Sequence, residues 1–151
     1  MKRETLYLDT SVLSAYYDKR TKERKETTIK FWKEILPHYQ VYISDVTIDE
    51  LESTRDERLK RQFRKLLKNF KVLITNERIQ ELAKGYLEKD VFPERYINDA
   101  LHVAVAFFYE IRYLVSWNFE HLVKVKTREK VNAINIAEGF KEIEIVSPQE
   151  L

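Results

Sequence analysis

Four polar residues of this chain stand at or near the ends of short apolar segments. They are Asp9, Glu50, Asp99 and Asn118. A buried carboxylate is costly unless it is paired, hydrogen-bonded or bound to a cation. Three acids and one amide placed in this way predict a site for a divalent metal ion.

The types of residue that are missing narrow the choice of metal. The sequence contains no cysteine, which excludes disulfides and thiolate zinc sites. It has only three histidines, His38, His102 and His121, which disfavours an all-nitrogen site. The metal expected here is a hard cation held by oxygen, Mg²⁺ or Mn²⁺.

The elements that must position these residues alternate along the chain. The β-like runs are residues 5–8, 41–44, 72–75, 113–116 and 143–146. Helical patterns lie between them, most clearly at residues 21–36, 57–70, 76–88 and 96–110. Alternating strands and helices predict an α/β fold with a mostly parallel sheet.

Two of the predicted helices have informative patterns. The helix at 57–70 carries one apolar stripe, which indicates packing on the core or, alternatively, a surface for a partner. That stripe consists of Leu59, Phe63, Leu66, Leu67 and Phe70. The helix at 96–110 is apolar nearly all round, as expected of a helix in the middle of a domain. Asn76 is a candidate cap for the helix that follows it.

A parallel sheet brings the four polar residues to one edge. Functional groups gather beyond the carboxyl ends of parallel strands. Asp9 ends the first strand, Asn118 closely follows the fourth, and Glu50 lies in the helix after the second. Asp99 opens a helix that must run back to begin the next parallel strand, so its first turn also lies at that edge.

Charge and length set broader limits. The 151 residues carry a formal net charge of +2, too small to indicate nucleic-acid binding on its own. Basic residues nevertheless cluster in two segments. Such a cluster is either a solvated helix face or an electrostatic path for a phosphate backbone. These clusters are Arg58, Lys60, Arg61, Arg64, Lys65, Lys68 and Lys71, and Lys124, Lys126, Arg128 and Lys130. Without a membrane-length apolar run or a signal peptide, we expect one cytoplasmic domain over residues 1–151.

Five segments of the chain resemble a known family. They are LYLDTS at 6–11, ISDVTIDEL at 43–51, NDALHVA at 98–104, LVSWNFEHL at 114–122 and IVSP at 145–148. In this order and spacing they resemble PIN-domain proteins, and specifically VapC-type toxins. The resemblance implies a three-layer α/β/α sandwich around a five-stranded, mostly parallel sheet.

The resemblance also implies a function and a set of site residues. Asp9, Glu50 and Asp99 match the family's acidic positions, and Asn118 stands where many members have a fourth aspartate. The implied protein is a Mg²⁺- or Mn²⁺-dependent endoribonuclease that hydrolyses RNA with a metal-activated water. The implied partners are an antitoxin protein, within a type II toxin–antitoxin pair, and a second copy of the chain in a homodimer.

Asn118 keeps a second function open. An amide in place of a carboxylate removes one negative charge and weakens binding of a second hard cation. The alternative is therefore a catalytically weak or inactive PIN module that binds RNA or a protein partner. An aspartyl phosphotransferase is disfavoured, because Ser11 stands where that chemistry needs a second acid.

Structural roles compete with each chemical one. Asp9 can cap the helix that follows it, Asp99 can cap its own helix, and Asn118 can close a turn. His102, one helical turn after Asp99, is expected to be a satisfied structural histidine rather than a ligand. Trp117 is expected to be a packed ring rather than a platform for base stacking.

Overall fold

A computed structural model describes residues 3–151 of the chain. Its five strands are β1 (Thr5–Leu8), β2 (Gln40–Ser44), β3 (Lys71–Leu73), β4 (Tyr113–Val115) and β5 (Glu144–Val146). All the pairings between them are parallel, in the order β3-β2-β1-β4-β5. The α/β fold with a five-stranded parallel sheet predicted from the sequence is confirmed.

Seven α-helices connect and cover these strands. They are α1 (Thr10–Tyr17), α2 (Lys22–Glu34), α3 (Asp45–Glu52), α4 (Glu57–Leu67), α5 (Glu77–Glu88), α6 (Ile97–Phe108) and α7 (Val125–Ala137). Short 3₁₀ turns occupy Leu36–His38, Glu94–Tyr96 and Pro148–Glu150. No helix within residues 3–151 is both long and apolar enough to span a lipid bilayer.

The ends of the helices follow local chemistry. The Asn76 side chain accepts a hydrogen bond from the Ile79 N–H at 2.9 Å, so the predicted cap of α5 is confirmed. Helix α2 ends at Glu34, before the predicted residue 36, and the chain continues as a 3₁₀ turn containing Pro37. Proline has no N–H to donate to the preceding turn, which explains the early end.

Side-chain alternation along the strands creates a core on each face of the sheet. In β1, Leu6 and Leu8 point to one face and Tyr7 to the other, all fully buried. Helices α1 to α4 supply the core beside Leu6 and Leu8, and helices α5 to α7 supply the core beside Tyr7. The result is the three-layer α/β/α arrangement.

The apolar stripe of α4 belongs to the first of these cores. Phe63 is buried, and the other four members of the stripe pack partly buried against the same cluster. The core interpretation of this stripe is therefore confirmed. Its burial explains why α4 forms, since the opposite face of the helix is strongly basic.

The strand order creates a crevice beside β1. The chain builds β2 and β3 on one side of β1 and then crosses to place β4 and β5 on the other. The carboxyl ends of β1 and β4 therefore flank a topological switch point, where α/β sheets leave space for ligands. Asp9 directly follows β1, and Asn118 lies three residues beyond Val115, the last residue of β4.

Candidate active site

Asp9 is held at the switch point by two serines. Its Oδ1 accepts hydrogen bonds from the Ser11 N–H at 3.1 Å and the Ser11 hydroxyl at 2.5 Å. Its Oδ2 accepts from the Ser116 hydroxyl, also at 2.5 Å. The side chain is 3% exposed and caps α1. The capping role and the role of a buried carboxylate therefore coexist.

The same serines tie the ends of β1 and β4 together. Ser11 Oγ accepts a hydrogen bond from the Trp117 N–H at 2.9 Å, and Ser116 Oγ accepts from the Asn118 N–H at 2.9 Å. Each hydroxyl therefore donates to Asp9 and accepts from the loop after β4. Ser116 is not one of the site residues predicted from the sequence, where a small hydroxyl residue at the end of a predicted strand was the available signal.

Asp99 lies in the first turn of α6 and faces the same region. Burial, followed by the negative charges of Asp9 and Glu50, raises its pKa to about 6, although His102 and His121 partly offset the rise. Burial also raises the pKa of Asp9, against the charge of His102 and the hydrogen bonds from its serines. The carboxylates thus repel one another in a partly desolvated setting.

Asn118 connects Asp99 to the loop after β4. Its Nδ2 donates to Asp99 Oδ2 at 3.2 Å, and its Oδ1 accepts from the His121 N–H at 2.9 Å. Asn118 therefore closes a turn, which is the structural role predicted for it. The same side chain also orients one of the acids, so the structural role places it in the site.

Glu50 reaches the site from the second turn of α3. Its Oε1 contacts His102 Nε2 at 2.6 Å and accepts a hydrogen bond from the Thr10 hydroxyl at 2.9 Å. Burial alone would raise the pKa of Glu50, but these two bonds and the charge of His102 outweigh it and lower the pKa. Of the three acids, Glu50 is therefore the one whose negative charge is best stabilised by its neighbours.

His102 lies fully inside the domain and has partners on both ring nitrogens. Nδ1 lies 2.5 Å from the Tyr7 hydroxyl, which in turn lies 2.7 Å from Ser44 Oγ. Burial lowers the pKa of His102, but the hydrogen bond to Glu50 and the charges of the three acids outweigh this effect and raise it. Both ring nitrogens of His102 therefore have hydrogen-bond partners, as expected of a structural histidine. The ring links Tyr7, in the core, to the carboxylate of Glu50.

The donor set is suited to a hard divalent cation, because it consists of carboxylate oxygens and includes Asp99, whose pKa is raised by burial and by the charges of the other two acids. Glu50 Oε2 and Asp99 Oδ1 accept no hydrogen bond from residues 3–151. In that same part of the chain, however, no three acidic or histidine side chains lie arranged as a ready metal cluster. His102 and Thr10 hold Oε1 of Glu50, so Oε2 is the oxygen of this residue that remains available to a cation.

Cavities adjoin the carboxylates on both sides. One of about 390 Å³ is lined by Glu50 and by two further acids, Asp45 and Asp49. Another of about 310 Å³ is lined by Ser11, Asn118 and other residues of α1 and α2. The second has a buried ring, Trp117, in its wall, and it opens beside the two residues that hold Asp9 and Asp99.

The basic cluster of α4 lies partly in local ion pairs. Arg64 pairs with Glu52 at 2.7 Å, and Lys60 pairs with Glu57 at 3.2 Å. Exposed surface pairs of this kind contribute little to stability. The idea that the remaining cations guide a phosphate backbone stays a prediction.

A family model for the PIN domain matches residues 6–121. The chain belongs to the PIN-domain family. The match contains Asp9, Glu50, Asp99 and Asn118. No curated protein matches this PIN domain.

Solved structures share its fold at low sequence identity. VapBC-1 from nontypeable Haemophilus influenzae is 19% identical with a TM-score of 0.60, covering 96% of this chain and 98% of the other. VapC20 from Mycobacterium tuberculosis, described as a sarcin–ricin loop cleaving toxin, is 19% identical with a TM-score of 0.62, covering 92% and 98%. A toxin–antitoxin complex from Klebsiella pneumoniae is 17% identical with a TM-score of 0.58, covering 81% and 93%.

Proposed function

We propose that this PIN domain is a Mg²⁺- or Mn²⁺-dependent endoribonuclease, the toxin of a type II toxin–antitoxin pair. The observation that carries the proposal is the convergence of Asp9, Glu50 and Asp99 beside the switch point of the sheet, with free oxygens on Glu50 and Asp99. Family membership and the similarity in fold to a toxin that cleaves RNA support the same conclusion.

Asp9, Glu50 and Asp99 would hold the metal ion. A bound divalent ion supplies a water activated at neutral pH and neutralises charge on the phosphoryl oxygens. No side-chain nucleophile is then needed. A mechanism without a side-chain nucleophile agrees with the absence of cysteine from the chain.

The other site residues keep these acids in place. Ser11 and Ser116 fix both oxygens of Asp9, and Asn118 fixes Oδ2 of Asp99. His102 and Thr10 occupy Oε1 of Glu50, which leaves Oε2 as the oxygen available to a ligand. Such fixed rotamers reduce the entropy lost when a ligand binds.

Asn118 remains a predicted metal ligand, but its contacts favour an orienting role. Its amide oxygen already accepts the His121 N–H, and its amide nitrogen donates to Asp99. We propose that it aligns Asp99 and contributes little charge to the site. An aspartate at this position would lose the donor to Asp99 and add repulsion to an acid whose pKa is already raised to about 6.

An antitoxin protein and a second copy of the chain are the proposed partners. Support for the antitoxin comes from fold similarity to the toxin–antitoxin complex of Klebsiella pneumoniae and to VapBC-1. Homodimer formation rests on the family resemblance alone. Analytical ultracentrifugation of the purified chain, with and without the product of the neighbouring gene, tests both.

The direct test is cleavage of a panel of single-stranded RNAs by purified protein with Mg²⁺, Mn²⁺ or chelator. Cleavage is expected with metal only, and Asp9→Asn is expected to abolish it. Glu142→Gln is a matched control, because Glu142 is exposed and lies two residues before β5, at the amino ends of the strands and away from the site. Full activity in Asp9→Asn would contradict the assignment.

A non-catalytic PIN module is the second candidate function. Asn118 in place of an acid and the open arrangement of the carboxylates within residues 3–151 favour it. Calorimetric titration with Mg²⁺ separates the two candidates, because the nuclease needs the ion. A folded protein that binds RNA or a partner, yet neither binds Mg²⁺ nor cleaves, would establish the module.

A further inference from the structure

Arg24 lies against two aromatic rings of the loop after β4, Trp117 and Phe119. It lies in the first turn of α2, and its side chain is exposed. The guanidinium carbon is 4.9 Å from the centroid of the Trp117 ring and 6.0 Å from that of Phe119. Arginine over an aromatic face is a favourable cation–π geometry.

The two rings differ in exposure. Trp117 is 4% exposed, and its Nε1–H donates to Thr28 Oγ1 at 2.9 Å, so the ring is fixed in the domain. The expected packed role of Trp117 is confirmed. Phe119 is 45% exposed and meets Trp117 edge to face at 6.1 Å. Phe119 therefore presents an uncovered aromatic surface beside a guanidinium.

Arg24 has no carboxylate within 4.0 Å among the residues that the structure describes. Asp18, the acid that lines the same cavity, is paired with Arg20 through both carboxylate oxygens, each at 3.0 Å. The donors of Arg24 thus remain available to an anion. A planar guanidinium fits a phosphate through two parallel hydrogen bonds.

The position of Arg24 connects this surface to the site. The cavity of about 310 Å³ is lined by Arg24 and Trp117 together with Ser11 and Asn118. A second cavity, of about 450 Å³, shares Arg24 and Trp117 with the first and is also lined by Phe119. Arg24 therefore borders both the cavity that contains Asn118 and the cavity that contains Phe119.

We propose that Arg24 and Phe119 form a nucleotide subsite for single-stranded RNA next to the scissile phosphate. Arg24 binds a backbone phosphate, and Phe119 stacks on the adjoining base. The inference rests on the proposed nuclease function. Two acids, Glu23 and Glu26, line the second cavity, which also contains Phe119. The subsite therefore acts through direct contacts rather than through net positive charge.

Binding of a fluorescently labelled single-stranded RNA tests the subsite, measured by anisotropy on the full chain in chelator so that the RNA stays intact. Phe119→Ala is expected to weaken binding by about fivefold or more, as for loss of one base-stacking ring. Arg24→Ala is expected to weaken it by about tenfold, and Arg24→Lys to recover only part of the loss. Lys141→Ala, which removes an exposed cation near the amino ends of the strands, is the matched control.

A second signal reports stacking directly. An RNA carrying 2-aminopurine is expected to lose fluorescence on binding to the wild type and to the control, but not to Phe119→Ala. A structural role for Phe119 would not produce that difference. Circular dichroism of each variant confirms that the fold is retained.

The outcomes separate the subsite from the proposed function. Metal-dependent cleavage with unchanged binding in Arg24→Ala and Phe119→Ala overturns the subsite and leaves the nuclease intact. Binding that depends on both residues, without cleavage by the wild type, supports the subsite and overturns the nuclease. No RNA binding by the wild type overturns the subsite.

Discussion

Replacing Asp99 with asparagine should stabilise the metal-free protein while abolishing cleavage. The Asp99 carboxylate is partly buried near Asp9 and Glu50, and its pKa is raised to about 6. The native state therefore holds an ionised group that it disfavours at neutral pH. The amide introduced by Asp99→Asn would remove the charge and could still accept the hydrogen bond from Asn118.

The size of the gain follows from the pKa. The difference between about 6 and the ordinary 3.8 corresponds to about 3 kcal/mol. Because the group is only partly buried, solvent screening reduces the expected gain to about 1–2 kcal/mol. A raised carboxyl pKa lowers native stability as pH rises from about 4 through 6. The advantage of Asp99→Asn should therefore be full above about pH 7 and less than half as large at about pH 4.5.

Urea denaturation in chelator at about pH 7.5 and about pH 4.5 measures both effects, with Glu142→Gln as the control expected to change stability little. Added Mg²⁺ should then stabilise the wild type by an amount that grows with the logarithm of its concentration above the dissociation constant, and leave Asp99→Asn unchanged. A variant less stable than the wild type at the higher pH, or an advantage of equal size at both pH values, would refute the argument that Asp99 is an electrostatically costly site acid.

Three further substitutions probe the support of the site and the core. His102→Ala should destabilise the protein by about 1–3 kcal/mol and reduce cleavage, because it leaves Glu50 without its closest donor; unchanged values in denaturation and turnover assays would oppose the proposed link. Ser116→Ala should slow cleavage with little loss of RNA affinity, since it releases Oδ2 of Asp9; steady-state kinetics that show a change in KM alone would argue against this role. Phe63→Ala should cost about 3–5 kcal/mol in urea denaturation through loss of core packing, yet leave the turnover of the folded protein intact; a loss of turnover without a loss of stability would contradict the separation of core and site.

Much of the fold was predictable because it depends on local patterns. Short apolar β-like runs located the strands, and the side-chain oxygen of Asn76 predicted the start of α5. The rule that parallel strands present their carboxyl ends at one edge placed Asp9 and Asp99 in the same region. Helix α2 ends earlier than its apolar pattern predicts, because Pro37 stops the helix although apolar residues continue past Glu34.

The sequence by itself determined which chemical groups this protein can use: three acids, an amide and no thiol, spaced so that a parallel sheet collects them. Only the tertiary structure decided their states. The contact of Glu50 with His102 and the cation–π contact of Arg24 join residues far apart along the chain. The pKa of Asp99 depends on burial and on charges from several different elements. Desolvation and side-chain direction arise from the packing of distant segments, so no local pattern contains them.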